Sequence, residues 1–495
     1  MTSAKGSAPS RRKGLIGSGV MTALERVISQ ACQLAIFIIA ARLLSPAEFG
    51  AFALVSAIAI ILLRVAEVGW APYIMSWSGD SRVPRQVLAL AILAGLVVGA
   101  AGVAIGYALP LAGLAVETGH LFSLFSFWVF LATISSAQKG VMIWESKLKA
   151  SAICEITGEL AGLVVAVTAL LQGAGLFSLA FGRLAYQSTH LALSFVFTRM
   201  APSLGMPKAE RRDLWAFSAR MFTSRLIINV RLYVATFIIG GFLGPAAVGY
   251  YRAAERLVGA VGEIVSVPTQ VLAWNLFRQA RDAHDGTTAG FQSAANIFFK
   301  ILAAIALPVF MWVAVMAGDI VHGLLGEEWL PALHVVAILS AARAIALVGV
   351  VTEPVLTIAG EVGRLPWLTA RLMIVTVALT LGAATTGGLL AVAWAQVAIA
   401  AITLVITLPM LRRYAGIDGL EVAGHCTRLL LPLAAAAAIL LWEREADLLP
   451  QINPLLHAFV VALPSLVVYV ALTLLVEPAL RAPILARLRR RKGAA

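Results

Sequence analysis

The residues of this chain that could do chemistry are charges set inside long apolar runs. Arg220, Arg225 and Arg231 lie in one run, Arg252, Glu255, Arg256 and Glu263 in the next, and Arg343 in a later one. Ionisable side chains at such depth are costly, and they are kept where they face an interior or a watery cavity. Arg252, Glu255 or Arg256, Gly259 and Glu263 fall on one helical stripe by i, i+3, i+4 spacing, and Arg220 and Arg231 share a face about three turns apart. Planar guanidinium forks match the oxygens of an anionic group. Arg231, Arg252 and Arg256, with Arg343 as an outlying member, are therefore a candidate cationic patch. The alternative is structural: Arg252–Glu255 and Arg256–Glu263 neutralise one another and hold helices together. Arg183, Lys300 and Arg371 sit nearer the ends of their runs, where long basic side chains snorkel.

The elements that position these charges are membrane helices. The chain is 60% hydrophobic and 13% charged, outside the soluble globular range. Runs of about 20 apolar residues, each long enough to span, occur about fourteen times, from 18–41 to 455–477. The expected fold is an all-α polytopic membrane protein. No connection is long enough for a soluble domain.

The net charge of +13 follows the positive-inside rule rather than signalling nucleic acid. With the N-terminus in the cytoplasm, alternate segments collect about two dozen Lys and Arg, among them Arg82, Arg85, Arg211, Arg212, Arg412 and Arg413, while the outer loops hold Arg42 and Arg444. Both termini are then cytoplasmic. The basic start followed by an apolar run resembles a signal peptide, but Glu25 and Arg26 and the run's length predict a retained helix. Cys32, Cys154 and Cys426 show no metal spacing and are expected as free thiols.

A repeat divides the chain. IFIIAARLLSPAEFG (Ile36–Gly50) returns as TFIIGGFLGPAAVG (Thr236–Gly249). In both copies Pro suits a helix's first turn and Gly, a turn on, permits close packing. The repeat implies a cytoplasmic tail (1–17), an N-lobe of six helices (18–199), a cytoplasmic linker (200–212), a C-lobe of six helices (213–413), two further helices (414–477) and a basic tail (478–495). An even number of spans per lobe gives two pseudo-symmetric lobes related by an axis along the membrane normal.

Counting the helical rise from Pro245 places Arg252 roughly 10 Å, Arg256 roughly 16 Å and, on the preceding span, Arg231 roughly 21 Å below the outer hairpin, in a core of about 30 Å. Superimposing the copies puts alanines, Ala53 and Ala57, opposite Arg252 and Arg256. It also puts Glu25 opposite Arg225 and Arg64 opposite Glu263, all four roughly 27–31 Å below the outer hairpins. This predicts an inner gate. Glu25–Arg64 and Arg225–Glu263 pair within lobes in one state and exchange partners in the other. The alternative is ordinary bridges at wet helix ends, with Arg64 and Glu67 pairing along one helix.

SGVMTALERVISQACQLAIFIIAARLLSPAEFGAFALVSAI and GPAAVGYYRAAERLVGAVGEIVSVPTQVLAWNLFRQARD (Gly244–Asp282) resemble the first spans and the eighth span of polysaccharide and oligosaccharide flippases, of the multidrug/oligosaccharidyl-lipid/polysaccharide (MOP) exporter superfamily. The resemblance implies a bacterial inner-membrane protein that moves undecaprenyl-pyrophosphate-linked saccharide to the outer leaflet by alternating access. The cavity would be lined by spans one, two, seven and eight. The arginine patch would hold the pyrophosphate, and the partners would be the lipid-linked oligosaccharide, the bilayer, and a polysaccharide polymerase and co-polymerase. A lipid II flippase would share these features. A multidrug cation antiporter would want cavity carboxylates, against the excess of Arg here. A membrane glycan polymerase would need a sizeable outer loop, and the outer connections are short.

Glu155 and Glu159 share a face and could bind a proton or sodium, but a solvated cytoplasmic helix end is the plainer expectation, as for Lys139 and Glu145. His322, Glu327 and Glu328 are expected in water. No catalytic triad, Walker loop or metal-spaced cluster occurs in the sequence, so neither enzyme activity, cofactor nor metal is expected.

Overall fold

The two copies of the repeated hairpin start their helices by different means. In the first, Ser45 caps the helix that begins at Pro46: its hydroxyl accepts from the Glu48 N–H, and the Glu48 carboxylate accepts from the Ser45 N–H at 2.9 Å. This is a reciprocal capping box. In the second, Gly244 precedes Pro245 with φ +83° and no side-chain cap, a conformation that favours glycine. Ser and Gly at the same place are thus two solutions to one turn.

The computed structural model describes residues 8–446 and 453–477, without the side chains of 8–20, 22, 23, 220, 223–225, 425 and 426. The tail 478–495, the first seven residues and the side chains of Arg220, Arg225 and Cys426 lie outside the described residues. The α-helices are α1 (Ala8–Leu43), α2 (Pro46–Glu67), α3 (Trp70–Ser76), α4 (Arg82–Ala108), α5 (Val116–Trp144), α6 (Leu148–Leu171), α7 (Phe177–Thr198), α8 (Lys208–Leu243), α9 (Pro245–Asp282), α10 (Phe291–Val315), α11 (Ala317–Leu324), α12 (Leu333–Ala346), α13 (Thr352–Ile358), α14 (Leu365–Thr386), α15 (Gly388–Ala415), α16 (Gly419–Arg428), α17 (Leu430–Ala446) and α18 (Pro454–Val476). No strand occurs among the described residues. Helices satisfy their own backbone groups, which hydrocarbon cannot do. The first helix starts at Ala8, so it runs back into the segment expected as a tail.

Among the described residues, twelve segments are long and apolar enough to cross a bilayer, against the expected fourteen or so. The other two positions are occupied by α7 and α17. The first carries Arg183, Gln187 and His190 along its length, and the described part of the second is 17 residues long. Gln187 and His190 are buried and face inward, whereas Arg183 is exposed.

The chain packs as two compact units, 1–236 and 237–495. In the first, α6 and α7 come close because Gly158, Gly162 and Gly182 carry no side chain. A Cβ on Gly162 would stand 2.9 Å from the Gly182 carbonyl oxygen. Small residues allow such approach without solvent-driven burial. The unit also takes in most of α8, although the repeat assigns the whole of α8 to the second lobe.

In the second unit, α9 packs on α10, α12 and α13, and α12 on α15. Buried Phe277, Phe291, Phe298 and Phe299 fill the α9–α10 seam. The hairpin α17–α18 is fastened to this body by polar contacts. The Trp312 indole N–H donates to the Ala458 carbonyl (2.9 Å) and the Tyr469 hydroxyl to the Ala304 carbonyl (3.1 Å). His457 lies between Glu443 (Nε2–Oε1 2.8 Å) and Asp319 (Nδ1–Oδ2 3.5 Å), and Arg428 meets Glu477 at 3.6 Å.

Candidate functional site

The second-unit arginines gather on α9 and its neighbour α12. Arg252 pairs with Glu255 three residues on, the contact expected under the structural alternative. Arg256 follows, half-buried. Two turns beyond Glu255, Gly262 leaves bare backbone, and the Arg343 side chain from α12 occupies the space. A Cβ at 262 would stand 2.9 Å from Arg343 Nε. Arg343 makes no ion pair among the described residues, and neither does half-buried Glu263. The outlying member of the sequence reading is thus brought onto the α9 stripe by a missing side chain. The stripe carries three guanidinium groups and two carboxylates, a basic excess in an apolar setting.

Arg231 belongs to the part of α8 that packs in the first unit; it is half-buried and makes no ion pair among the described residues. Of the gate residues, Arg64 pairs with Glu67 along α2, the simpler arrangement, and its Nε donates to Asn229 Oδ1 on α8 at 3.4 Å. Glu25 does not pair with Arg64. The charged groups that act on it are Lys139 and Glu155. The reason is lateral: α1 packs on α6 far more extensively than on α2, so depth matches between Glu25 and Arg64 but position around the bundle does not. The Arg225 side chain lies outside the described residues.

At the end of the first unit where α2 stops, aromatic rings pack α3 against α8. After α2 the backbone turns through Val68 (φ +37°) and Gly69 (φ +89°) into α3. There Trp70 meets Trp215 of α8 edge to face (centroids 6.2 Å, 73°), and Tyr73 meets Phe217 likewise (5.5 Å, 67°). Leu214 and Ser218 are fully buried beside them. The Trp70 indole N–H is satisfied by the Ala66 carbonyl at 2.8 Å. Edge-to-face pairs add to the burial of their surfaces.

A polar centre that the sequence reading placed in water is buried. Glu155 and Glu159 on α6 are each 8% exposed. Glu155 accepts from Lys139 of α5 and from the Tyr186 hydroxyl of α7 (2.6 Å). Glu159 accepts from Gln33 of α1 at 2.8 Å. His190, 2% exposed, shares a hydrogen bond through Nδ1 with Ser135 of α5, and its Nε2 lies 3.8 Å from Glu155 Oε1. The signal was present in sequence: Ser135 and Lys139, Glu155 and Glu159, and Tyr186 and His190 are each spaced by four on three successive helices. Read one helix at a time, each pair looks like a solvated face. Lys147 and Glu145, at 2.9 Å, do form an ordinary bridge at the helix end.

No group of His, Cys, Asp and Glu suited to a metal occurs among the described residues. Cys32 and Cys154 are buried free thiols, as expected.

A sequence profile of polysaccharide biosynthesis proteins matches residues 39–334. Among curated proteins, the succinoglycan biosynthesis transport protein ExoT of Rhizobium meliloti (strain 1021) is 23% identical over 309 residues, 62% of this chain and 62% of the relative. The aligned part thus spans less than two thirds of that relative's length. Among solved structures, the lipid II flippase MurJ in an inward closed conformation superposes with a TM-score of 0.72 at 11% identity, over 95% of this chain and 100% of that one. An inward-facing multidrug resistance MATE family transporter of the MOP superfamily gives 0.64 at 15% identity, over 81% and 98%. At these identities the likeness is one of fold.

Proposed function

Because the chain belongs to the polysaccharide biosynthesis protein family, we propose that it is a flippase that moves a polyprenyl-pyrophosphate-linked oligosaccharide across the bacterial inner membrane for surface polysaccharide synthesis. The observation that carries this reading is the basic stripe of Arg252, Arg256 and Arg343 on α9 and α12, set in helices long and apolar enough to span a bilayer. Arginines massed on membrane-spanning helices, two of them half-buried and Arg343 exposed, are costly unless they meet water or an anion. A pyrophosphate supplies that anion, and its oxygens suit bidentate guanidinium contacts. A carrier of organic cations would need the opposite excess. Glu255 neutralises Arg252 in the substrate-free protein and releases it when phosphate arrives.

The two helices outside those twelve segments, α7 and α17, also cross the membrane in this scheme, giving fourteen spans. An even number keeps both termini on the cytoplasmic side, where the basic residues of the loops collect. The protein performs no covalent chemistry. It passes its cargo to a polymerase and its co-polymerase at the outer face.

The test is deletion of the gene, with lipid-linked intermediates assayed by leaflet. Repeat units held on the cytoplasmic face, and restored to the outer face by the wild-type gene but not by an Arg252→Ala/Arg256→Ala chain, are the expected result. Normal surface polysaccharide in the deletion strain overturns the reading.

A further inference from the structure

We propose that His190 and Glu155 form a binding site for one exchangeable proton within the first unit, reached from water through Lys139. Three observations meet at this point. His190 is 2% exposed, and its Nε2 has no hydrogen-bond partner. That atom lies 3.8 Å from a carboxylate oxygen that is already held by Lys139 Nζ, the other oxygen being taken by the Tyr186 hydroxyl. The Lys139 side chain is 41% exposed, so one member of the centre touches the outside while Glu155 and His190 are sealed.

Either tautomer of His190 leaves Nε2 mismatched. As N–H it donates to nothing within hydrogen-bond reach; as a bare lone pair it faces a carboxylate oxygen across a gap. Unsatisfied buried polar atoms are rare and costly. A proton delivered to Nε2 gives an imidazolium facing Glu155, and a movement of less than 1 Å closes a charge-assisted hydrogen bond. Glu155 then changes its principal partner from Lys139 to His190. Lys139, a flexible ammonium at the exposed edge of the centre, is freed to turn outward. The step moves one proton from water to a ring nitrogen and breaks no covalent bond.

The groups around the pair are compatible with one added positive charge. From α1, Glu25 acts on Glu155 through space, and Gln33 holds Glu159. From α6 itself come Glu159 and the buried thiol of Cys154. From α5 come Lys139 and the neutral Ser135. From α7, Arg183 lies near enough to act on Tyr186. Three carboxylates thus face two fixed cations, and protonation of His190 balances the count. A sodium ion does not fit. It needs oxygen ligands around a vacancy, whereas both Glu155 oxygens are occupied by donors and the orphan atom is a nitrogen.

Proton binding here rests on the flippase reading only for its consequence, which is that a proton gradient drives transport. The experiment has two arms. In the first, purified wild-type, His190→Gln, Glu155→Gln and Ser135→Ala proteins are titrated potentiometrically between pH 8 and pH 5. The wild type takes up one proton more than His190→Gln, and Ser135→Ala keeps that proton with a shifted midpoint. In the second, proteoliposomes carrying a fluorescent polyprenyl-pyrophosphate disaccharide are given a proton gradient or a sodium gradient. Wild-type flipping rises about tenfold with the proton gradient and ignores sodium, while His190→Gln keeps its gradient-free rate and loses the response. Equal proton uptake by wild type and His190→Gln overturns the proposal, as does a sodium-driven wild type. If the wild type moves no lipid under any gradient while the one-proton difference persists, the transport reading falls and the site stands.

Discussion

The contact between Gly262 and Arg343 separates function from stability in a way that few positions in a membrane transporter allow. A methyl at 262 would stand 2.9 Å from Arg343 Nε, several tenths of an ångström inside normal contact, and a leucine would fill the space outright. The guanidinium belongs to a flexible side chain and can swing away, so the backbone need not yield. Replacing a mid-helix glycine by alanine stabilises the helix by about 1 kcal/mol. Gly262→Ala is therefore expected to raise thermal stability and impair transport in the same molecule. A guanidinium–phosphate hydrogen bond contributes about 1.5–3 kcal/mol, roughly ten- to a hundredfold in the substrate concentration for half-maximal flipping. Gly262→Leu should forfeit all of that, and Gly262→Ala a smaller share. The assay is flipping of a labelled polyprenyl-pyrophosphate sugar in proteoliposomes, with melting followed on the same preparations. The double variant Gly262→Leu/Arg343→Ala should be no worse than Arg343→Ala alone, because the glycine acts only through the arginine. If the two losses multiply, or if Gly262→Ala transports as wild type does, the role assigned to Arg343 is wrong.

Two further outcomes follow from packing. The Trp70–Trp215 pair should show a coupling of about 0.5–1.5 kcal/mol in a thermal double-mutant cycle of Trp70→Leu and Trp215→Leu, and losses that simply add would show the rings to be independent. His457→Leu leaves Glu443, 6% exposed, without its donor, at a cost on the order of 1–3 kcal/mol; adding Glu443→Leu should recover most of the lost melting temperature, and a double variant as unstable as the single would contradict the arrangement.

The legible parts of this structure were those set by local sequence or by the repeat. The hairpin starts at Pro46 and Pro245, the Arg252–Glu255 pair and the Arg64–Glu67 pair all depend on residues within one helix or one turn. Depth below the outer hairpin was countable, because helical rise is fixed. Position around the bundle was not, since it depends on which helices are neighbours. For that reason the sequence sets Glu25 at the depth of Arg64 but does not show that the charges acting on it in this structure are Lys139 and Glu155. The same gap hid the centre at Glu155, whose partners come from α5 and α7. Arg343 is an outlying member in sequence because nothing there announces that Gly262, far upstream, leaves the space it fills.

The fastening of α17–α18 also sets a timetable for assembly. Its sockets on α10 and α11, including Trp312 and Asp319, are synthesised more than a hundred residues before Ala458 and His457. At synthesis rates of up to about 20 residues per second, the sockets wait several seconds in the bilayer before their partners arrive. During that interval the Trp312 indole lacks the acceptor that α18 later brings, and Asp319 lacks its imidazole. A nascent chain halted between α16 and α18 therefore displays a polar seam on a lipid-facing helix surface, the kind of feature that membrane chaperones and proteases can recognise.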